Sequence, residues 1–229
     1  MDKYLFPQEI GRGKGSIVYK GRKKHTIQYV AVKKVDKALQ QKVLNEVRVI
    51  HNLDHPNILK FMNWYETSNH IWLIVEFCTG GDLMEMKMMD KAFPEYALKV
   101  FGRDIACGLQ YLHSKGYVHC DLRPANLLVS GGGIVKIGDF ASAQKTKEIK
   151  PLGQRLAVRQ VSCYLSPELF EEGGVFSYAS DFWAIGCTLY ELYTGAAPWI
   201  PTPGQTLHAC LLETELPALP EIGRASCRE

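Results

Sequence analysis

Asp121, Arg123 and Asn126 stand close together in the stretch His119-Cys120-Asp121-Leu122-Arg123-Pro124-Ala125-Asn126. A carboxylate, a guanidinium and an amide in that order suit phosphate and a hard cation. Asp121 can accept a proton from a hydroxyl, and Arg123 can neutralise a phosphoryl group. A second acid follows in Asp139-Phe140-Ala141. Asn126 and Asp139 together can hold Mg²⁺ through oxygen. Asp and Asn also cap turns, and this loop alone leaves that plainer reading open. His119 suits a buried structural role, because Asp121 is the better base.

The elements that must position these groups are readable on both sides of them. Upstream, Glu9-Ile10-Gly11-Arg12-Gly13-Lys14-Gly15-Ser16-Ile17-Val18-Tyr19 is glycine-rich between β-prone flanks. Gly11 and Gly13 let backbone N–H groups approach a phosphate, although a plain hairpin turn has the same composition. A dinucleotide fold requires a helix directly after such glycines; here a second strand follows, Val30-Ala31-Val32-Lys33. Leu39, Val43, Val47, Ile50 and Leu53 give residues 37–53 helical periodicity. Glu46 on that helix can pair with Lys33, or with Lys42 at i, i+4. The short Lys33-to-Glu46 spacing requires a tight connection. Asp54-His55-Pro56-Asn57 is a turn, and strands are expected around Ile58 to Tyr65 and Ile71 to Phe77. Glu76-Phe77-Cys78-Thr79-Gly80-Gly81-Asp82-Leu83 then reads as a hinge.

Pro94 to Ser114 reads as a long amphipathic helix with Val100, Phe101, Ile105, Leu109 and Leu112 as its apolar stripe. Leu127-Leu128-Val129 and Ile134-Val135-Lys136-Ile137 read as a hairpin leading to Asp139. A long loop runs from Asp139 to Tyr164-Leu165-Ser166-Pro167-Glu168. An apolar helix opens at Asp181-Phe182-Trp183-Ala184-Ile185-Gly186 and ends near Gly195 and Pro198.

At 229 residues, 46% hydrophobic and 22% charged, the chain can bury one large core or two small ones. A net charge of +3 gives no argument for nucleic acid or an anionic membrane. Seven cysteines without a C-x-x-C pair point to a reduced, cytosolic chain with neither disulfides nor a zinc site. No apolar signal region opens the sequence, and no apolar run approaches a membrane span.

Taken in order, these stretches resemble the eukaryotic protein kinases: a glycine-rich loop, a strand lysine, a helix glutamate, a hinge, H-R-D-L-x-x-x-N, D-F-G, A-P-E and D-x-W-x-x-G. The resemblance covers residues 4 to about 215. Asp121-Leu122-Arg123-Pro124-Ala125-Asn126 resembles the serine/threonine branch. Gly11-Arg12-Gly13, Val18-Tyr19-Lys20-Gly21-Arg22-Lys23-Lys24 and Trp64-Tyr65-Glu66-Thr67-Ser68-Asn69-His70-Ile71-Trp72-Leu73 resemble the Fused-related branch of the Unc-51-like kinases, as does a cysteine before the catalytic Asp.

The resemblance implies an α+β, bilobal fold: a β-rich N-lobe over residues 4–75, a hinge at 76–82 and a mainly helical, incomplete C-lobe at 83–220. Residues 221–229 resemble a sequencing adapter read in frame and are expected to lie outside the fold. It implies ATP and Mg²⁺ as cofactors, with Lys33 on the phosphates, Glu46 orienting it, Asp121 as base, Arg123 at the γ-phosphate, and Asn126 and Asp139 on the metal. Ile10, Val18, Ala31 and Leu128 would sandwich the adenine, Gly11 and Gly13 would cover the phosphates, and the backbone of Glu76 and Cys78 would bond the base, with Val75 as a small gatekeeper behind it. Ile50, Phe61, Phe140 and His119 would stack into an internal spine anchored by Asp181. The implied activity is a non-specific serine/threonine protein kinase acting on a protein substrate. Its implied partners are microtubule-associated proteins, with no nucleic acid and no membrane, and its setting is cytoplasmic or cytoskeletal. The alternative is a pseudokinase scaffold.

Several letters depart from the family pattern. Ser16 replaces the third glycine, and Arg123 replaces a lysine, keeping the charge but not the shape. Cys120 replaces the arginine that meets a phosphorylated loop. Ala141 replaces glycine, and Val161 replaces a threonine that bonds the catalytic Asp. No Ser, Thr or Tyr lies between Lys147 and Val161, so activity independent of phosphorylation there is expected. Glu168 is expected to be buried without its usual arginine partner.

Overall fold

A computed structural model describes residues 3–13, 15–151, 162–213 and 215. Val161 and the 221–229 tail lie outside the described residues. Five strands, β1 (Tyr4–Gly13), β2 (Ser16–Lys23), β3 (Tyr29–Asp36), β4 (Phe61–Glu66) and β5 (His70–Glu76), form one antiparallel sheet in the order β1-β2-β3-β5-β4. Strand alternation sorts its side chains. Val30, Val32 and Ile74 are fully buried under Tyr4, Phe6, Tyr19 and Trp72 on one face. Ala31, Lys33 and Val35 take the opposite face, by the period of two, and Val35 joins the main core there.

The connection between β3 and the first helix is one 3-10 turn, Lys37–Leu39, capped by Asp36, whose Oδ1 accepts the Ala38 N–H at 2.9 Å. The regular helix α1 (Gln40–Ile50) is therefore shorter than the expected 37–53. The first residues of that stretch form the turn that lets Glu46 fall beside Lys33. Val43, Val47 and Ile50 are buried as the periodicity required.

The second half is mainly helical: α2 (Leu83–Asp90), α3 (Glu95–Ser114), α4 (Tyr178–Thr194) and α5 (Leu207–Glu213). Between α3 and α4 lie four short strands: β6 (Tyr117–Val118), β7 (Leu127–Val129), β8 (Val135–Ile137) and β9 (Gln144–Lys145). β7 pairs with β8 and β6 with β9, both antiparallel. The fold is thus α+β, a β-rich N-terminal lobe on a mainly helical C-terminal one. One hydrophobic cluster runs through both, from Val35 and Ile50 to Leu109 and Leu192.

Helix α3 buries Phe101, Asp104, Ile105, Gly108, Leu109 and Leu112. Val100, expected in that stripe, is 41% exposed. The buried positions advance by steps of three, one, three, one and three, and residue 100 falls to the side of that face. α4 starts at a capping box made by Ser177 and Ser180, three residues before the expected Asp181, and stops at Gly195 in the left-handed region, φ 82°.

Gly108 is where α3 comes closest to the chain before β4: an added Cβ would lie 2.7 Å from the Asn57 carbonyl oxygen. Gly186 of α4 has open space at the same position. Alanine is favoured over glycine inside a helix by about 1 kcal/mol. Gly186→Ala should therefore raise stability by up to that amount. Gly108→Ala should lower it by roughly 1–3 kcal/mol, because backbone must shift. Urea denaturation of the two variants checks the opposite signs.

Candidate functional site

Lys33 on β3, Glu46 on α1 and Asp139 after β8 meet at one point. Lys33 Nζ lies 2.9 Å from Glu46 Oε2 and 3.6 Å from Asp139 Oδ1. The register of β3 against β5, Lys33 opposite Leu73, fixes the lysine over the core side of the sheet. Burial opposes the ammonium charge, but the two carboxylates outweigh it and raise the Lys33 pKa above the usual lysine value. Burial pushes Glu46 upward, with Lys33 offsetting part of that. Burial also opposes the Asp139 charge, yet Lys33 and the Ala141 N–H hold that carboxyl below its usual range. The Lys42 pairing is not formed.

The Asp121 loop hangs from α4. Asp181 is buried, and its carboxylate accepts the His119 N–H at 2.8 Å and the Cys120 N–H at 3.0 Å, with His113 Nε2 at 2.9 Å. This holds Cys120 in the left-handed region at φ 65°, a conformation costing a non-glycine residue on the order of 1–3 kcal/mol. His119 is fully buried, as expected. Its Nε2 faces the Gly138 carbonyl at 3.0 Å and so carries the proton, while Nδ1 accepts the Asp121 N–H at 3.3 Å. Its ring meets Phe140 edge-on with centroids 5.3 Å apart. Ile50, His119 and Phe140 are buried and Phe61 packs against the same cluster, so the four expected spine residues share one core region.

Asn126 donates its amide to the Asp121 carbonyl at 2.7 Å and to Asp121 Oδ2 at 3.3 Å. The Asn126 carbonyl in turn accepts the Gly138 N–H at 2.9 Å, tying it to the residue before Asp139. With its nitrogen committed, Asn126 presents its side-chain oxygen. Asp139, at φ 56°, is engaged by two long contacts, 3.4 Å to the Ala141 N–H and 3.6 Å to Lys33. No cluster of three or more His, Cys, Asp or Glu suited to a metal occurs among the described residues. Two protein oxygens completed by phosphate are what Mg²⁺ accepts, so this donor set fits that ion. Arg123 Nε lies 3.8 Å from Asp121 Oδ1, and the same nitrogen is buried without a hydrogen-bond partner among the described residues. A cationic donor left unsatisfied beside the base suits a phosphate oxygen.

Ile10 is exposed, and Val18, Ala31 and Leu128 are half-buried. Gly11 pairs with Val18 and Gly13 with Ser16 across the hairpin. The glycine this hairpin requires is Gly15, at φ 81°; Gly11 and Gly13 leave open backbone. The Glu76 N–H is taken by the Lys60 carbonyl at 2.9 Å, so Glu76 would offer its own carbonyl to a base. Burial pushes the Cys78 thiol up to about 12, so it stays neutral.

Sequence reasoning missed three features. The Asn45 amide donates to the carbonyls of Ala141 and Ala143 at 3.1 and 2.9 Å. The Glu76 carboxylate accepts the Lys60 N–H at 2.6 Å and lies 3.0 Å from Lys136 Nζ. Glu191 is buried between Lys87 and the Tyr164 hydroxyl. All three join residues far apart in sequence, and no local spacing reports them. Glu168 corrects an expectation: it is half-buried, and its Oε1 accepts the hydroxyls of Ser166 at 2.6 Å and Ser180 at 3.1 Å. Two serines do locally what a distant arginine was expected to do. A hollow of about 510 Å³ lies elsewhere, lined by Leu98, Trp183, Tyr190 and Trp199, and is mainly apolar.

A strand lysine, a helix glutamate, a loop bearing Asp121 and Asn126 and a second Asp on one cleft define a protein kinase domain. The chain belongs to that family: the protein kinase domain model matches residues 4–221. It is 46% identical to the serine/threonine-protein kinase RUNKEL of Arabidopsis thaliana, over 99% of this chain and 16% of that protein. It is 36% identical to the serine/threonine-protein kinase ULK4 of Mus musculus, over 96% of this chain and 19% of that protein. Serine/threonine-protein kinase ATG1a of Arabidopsis thaliana is 32% identical over 93% of this chain and 35% of its own length. The chain thus carries a protein kinase domain and spans less than a fifth of the length of the first two relatives, both named as serine/threonine-protein kinases.

Removing Lys33 leaves Glu46 buried and unpaired. Lys33→Met should cost on the order of 3 kcal/mol at neutral pH. Its Glu46 pKa then rises further above the unfolded value, so the folded state binds the extra proton and the deficit shrinks as pH falls from about 7 toward 4. Denaturation of variant and parent at both pH values tests this; a deficit independent of pH would contradict it.

Proposed function

We propose that this domain is an ATP- and Mg²⁺-dependent serine/threonine protein kinase transferring the γ-phosphoryl group of ATP to a protein hydroxyl. The observation that carries this reading is the joint contact of Lys33 with Glu46 and Asp139. In this reading Lys33, held by Glu46, binds phosphate oxygens of the nucleotide. Asn126 and Asp139 hold Mg²⁺, which when bound neutralises phosphate charge. Asp121, 36% exposed at its side chain, accepts the proton of the substrate hydroxyl. Arg123 offers its unsatisfied Nε–H to the transferring group. Ile10, Val18, Ala31 and Leu128 enclose the adenine, whose polar edge meets the Glu76 carbonyl and the Cys78 backbone. Gly11 and Gly13 lie over the phosphates.

The domain division follows the same reading: N-lobe 4–75, hinge 76–82, C-lobe 83–220. A cytoplasmic, cytoskeletal role with microtubule-associated partners rests on the family resemblance. Among the described residues no helix is long and apolar enough to cross a membrane.

The test is phosphate transfer from ATP to a generic basic protein with Mg²⁺. Asp121→Asn should lower kcat at least about 100-fold with little change in nucleotide affinity, because it removes the base and keeps the shape. Equal loss of nucleotide binding would contradict the role given to Asp121. Nucleotide binding by the parent without any transfer would favour the pseudokinase alternative.

A further inference from the structure

Asn45 stands one residue before Glu46 on α1 and faces the turn after β8. Its Nδ2 donates to the Ala143 carbonyl at 2.9 Å and the Ala141 carbonyl at 3.1 Å, with the Phe140 carbonyl at 3.5 Å. Both amide hydrogens are thereby committed to the turn that begins at Asp139. Its Oδ1 accepts from Arg48 Nη2 at 2.9 Å, one helical turn on. That bond decides which way the amide faces, since the flipped amide would set two acceptors against each other at the turn and two donors at Arg48. Arg48 Nη2 also lies 3.6 Å from Glu148 Oε2, beyond the turn.

Resting on the kinase reading, we propose that Asn45 is a positioning residue. It clamps α1 to the Phe140–Ala143 turn, so that Glu46 and Asp139 reach Lys33 together without a phosphate on the segment beyond. The turn needs such a clamp. Asp139 holds φ 56° and ψ 72°, a region costly for a non-glycine residue. Residues 147–161 contain no Ser, Thr or Tyr to carry a phosphate, and the Cys120 side chain is not a cation that could meet one. Helix α1 carries Glu46 and the turn carries Asp139, so a neutral amide between them couples the two carboxylates. The exposed Arg48–Glu148 pair contributes little directly; its part is to orient the amide.

Asn45→Asp tests the clamp, because it keeps size and helix register while turning a donor into an acceptor facing carbonyl oxygens. At a pH of about 8, kcat should fall about 10- to 100-fold, with the melting temperature moved far less than in Lys33→Met. Lowering the pH should recover part of the loss, since the introduced carboxyl, once protonated, again donates to the turn; the parent shows no such rise. Arg48→Met should give a smaller loss of the same kind. In the nucleotide-free protein, hydrogen exchange of the amides between residues 140 and 145 should quicken in Asn45→Asp. Unchanged exchange, or a kcat loss that only tracks the unfolded fraction, would overturn the proposal. If the parent transfers no phosphate, the kinase reading fails, and the exchange result still decides the clamp.

Discussion

One ammonium group couples the three elements of the site. Lys33 on β3 is shared by Glu46 from α1 and Asp139 from the loop after β8. Each element is brought to that point by a different local constraint. β3 is fixed by sheet register, α1 by a single 3-10 turn capped at Asp36, and Asp139 by the bond from Gly138 to Asn126. A displaced element would leave a buried Glu46 charge without its partner. That cost exceeds what a surface ion pair contributes. The contact therefore acts as a check that the site has assembled, and in the proposed function its cation is the one that binds phosphate.

The second constraint is the Asp181 carboxylate. It takes two successive backbone N–H groups, and so it fixes the left-handed turn at Cys120 that aims Asp121 out of the loop. Its position in the first turns of α4 connects a rigid buried helix to a strained loop. The strain at Cys120 and at Asp139 lies on either side of His119, which bonds the Gly138 carbonyl and packs against Phe140. Two costly backbone conformations thus share one buried imidazole and are held by the same core.

Much of this was legible in sequence. Val30-Ala31-Val32-Lys33 reads as a strand that ends in lysine, and the short spacing to Glu46 requires the tight turn that is found. The order of polar groups marked Asp121, Asn126 and Asp139 as one constellation. What stayed hidden has physical causes. Left-handed backbone is announced by glycine, and Cys120 and Asp139 are not glycine. The Asn45 amide, the Glu76–Lys136 pair and the Lys87–Glu191–Tyr164 cluster depend on tertiary contacts that leave no local period. Val100 was misplaced because an apolar residue beside a helical stripe looks like part of it. Glu168 was misjudged because its serine partners, Ser166 and Ser180, carry no charge that would mark them as its counterparts.

The most direct measurement is the affinity for ATP with and without Mg²⁺, by calorimetry, in the parent protein and in Asp139→Asn. If Lys33, Glu46 and Asp139 form a nucleotide–metal site, Mg²⁺ should tighten ATP binding in the parent, and most of that gain should vanish in the variant. ATP affinity indifferent to Mg²⁺ in the parent, or an unchanged gain in Asp139→Asn, would contradict the account.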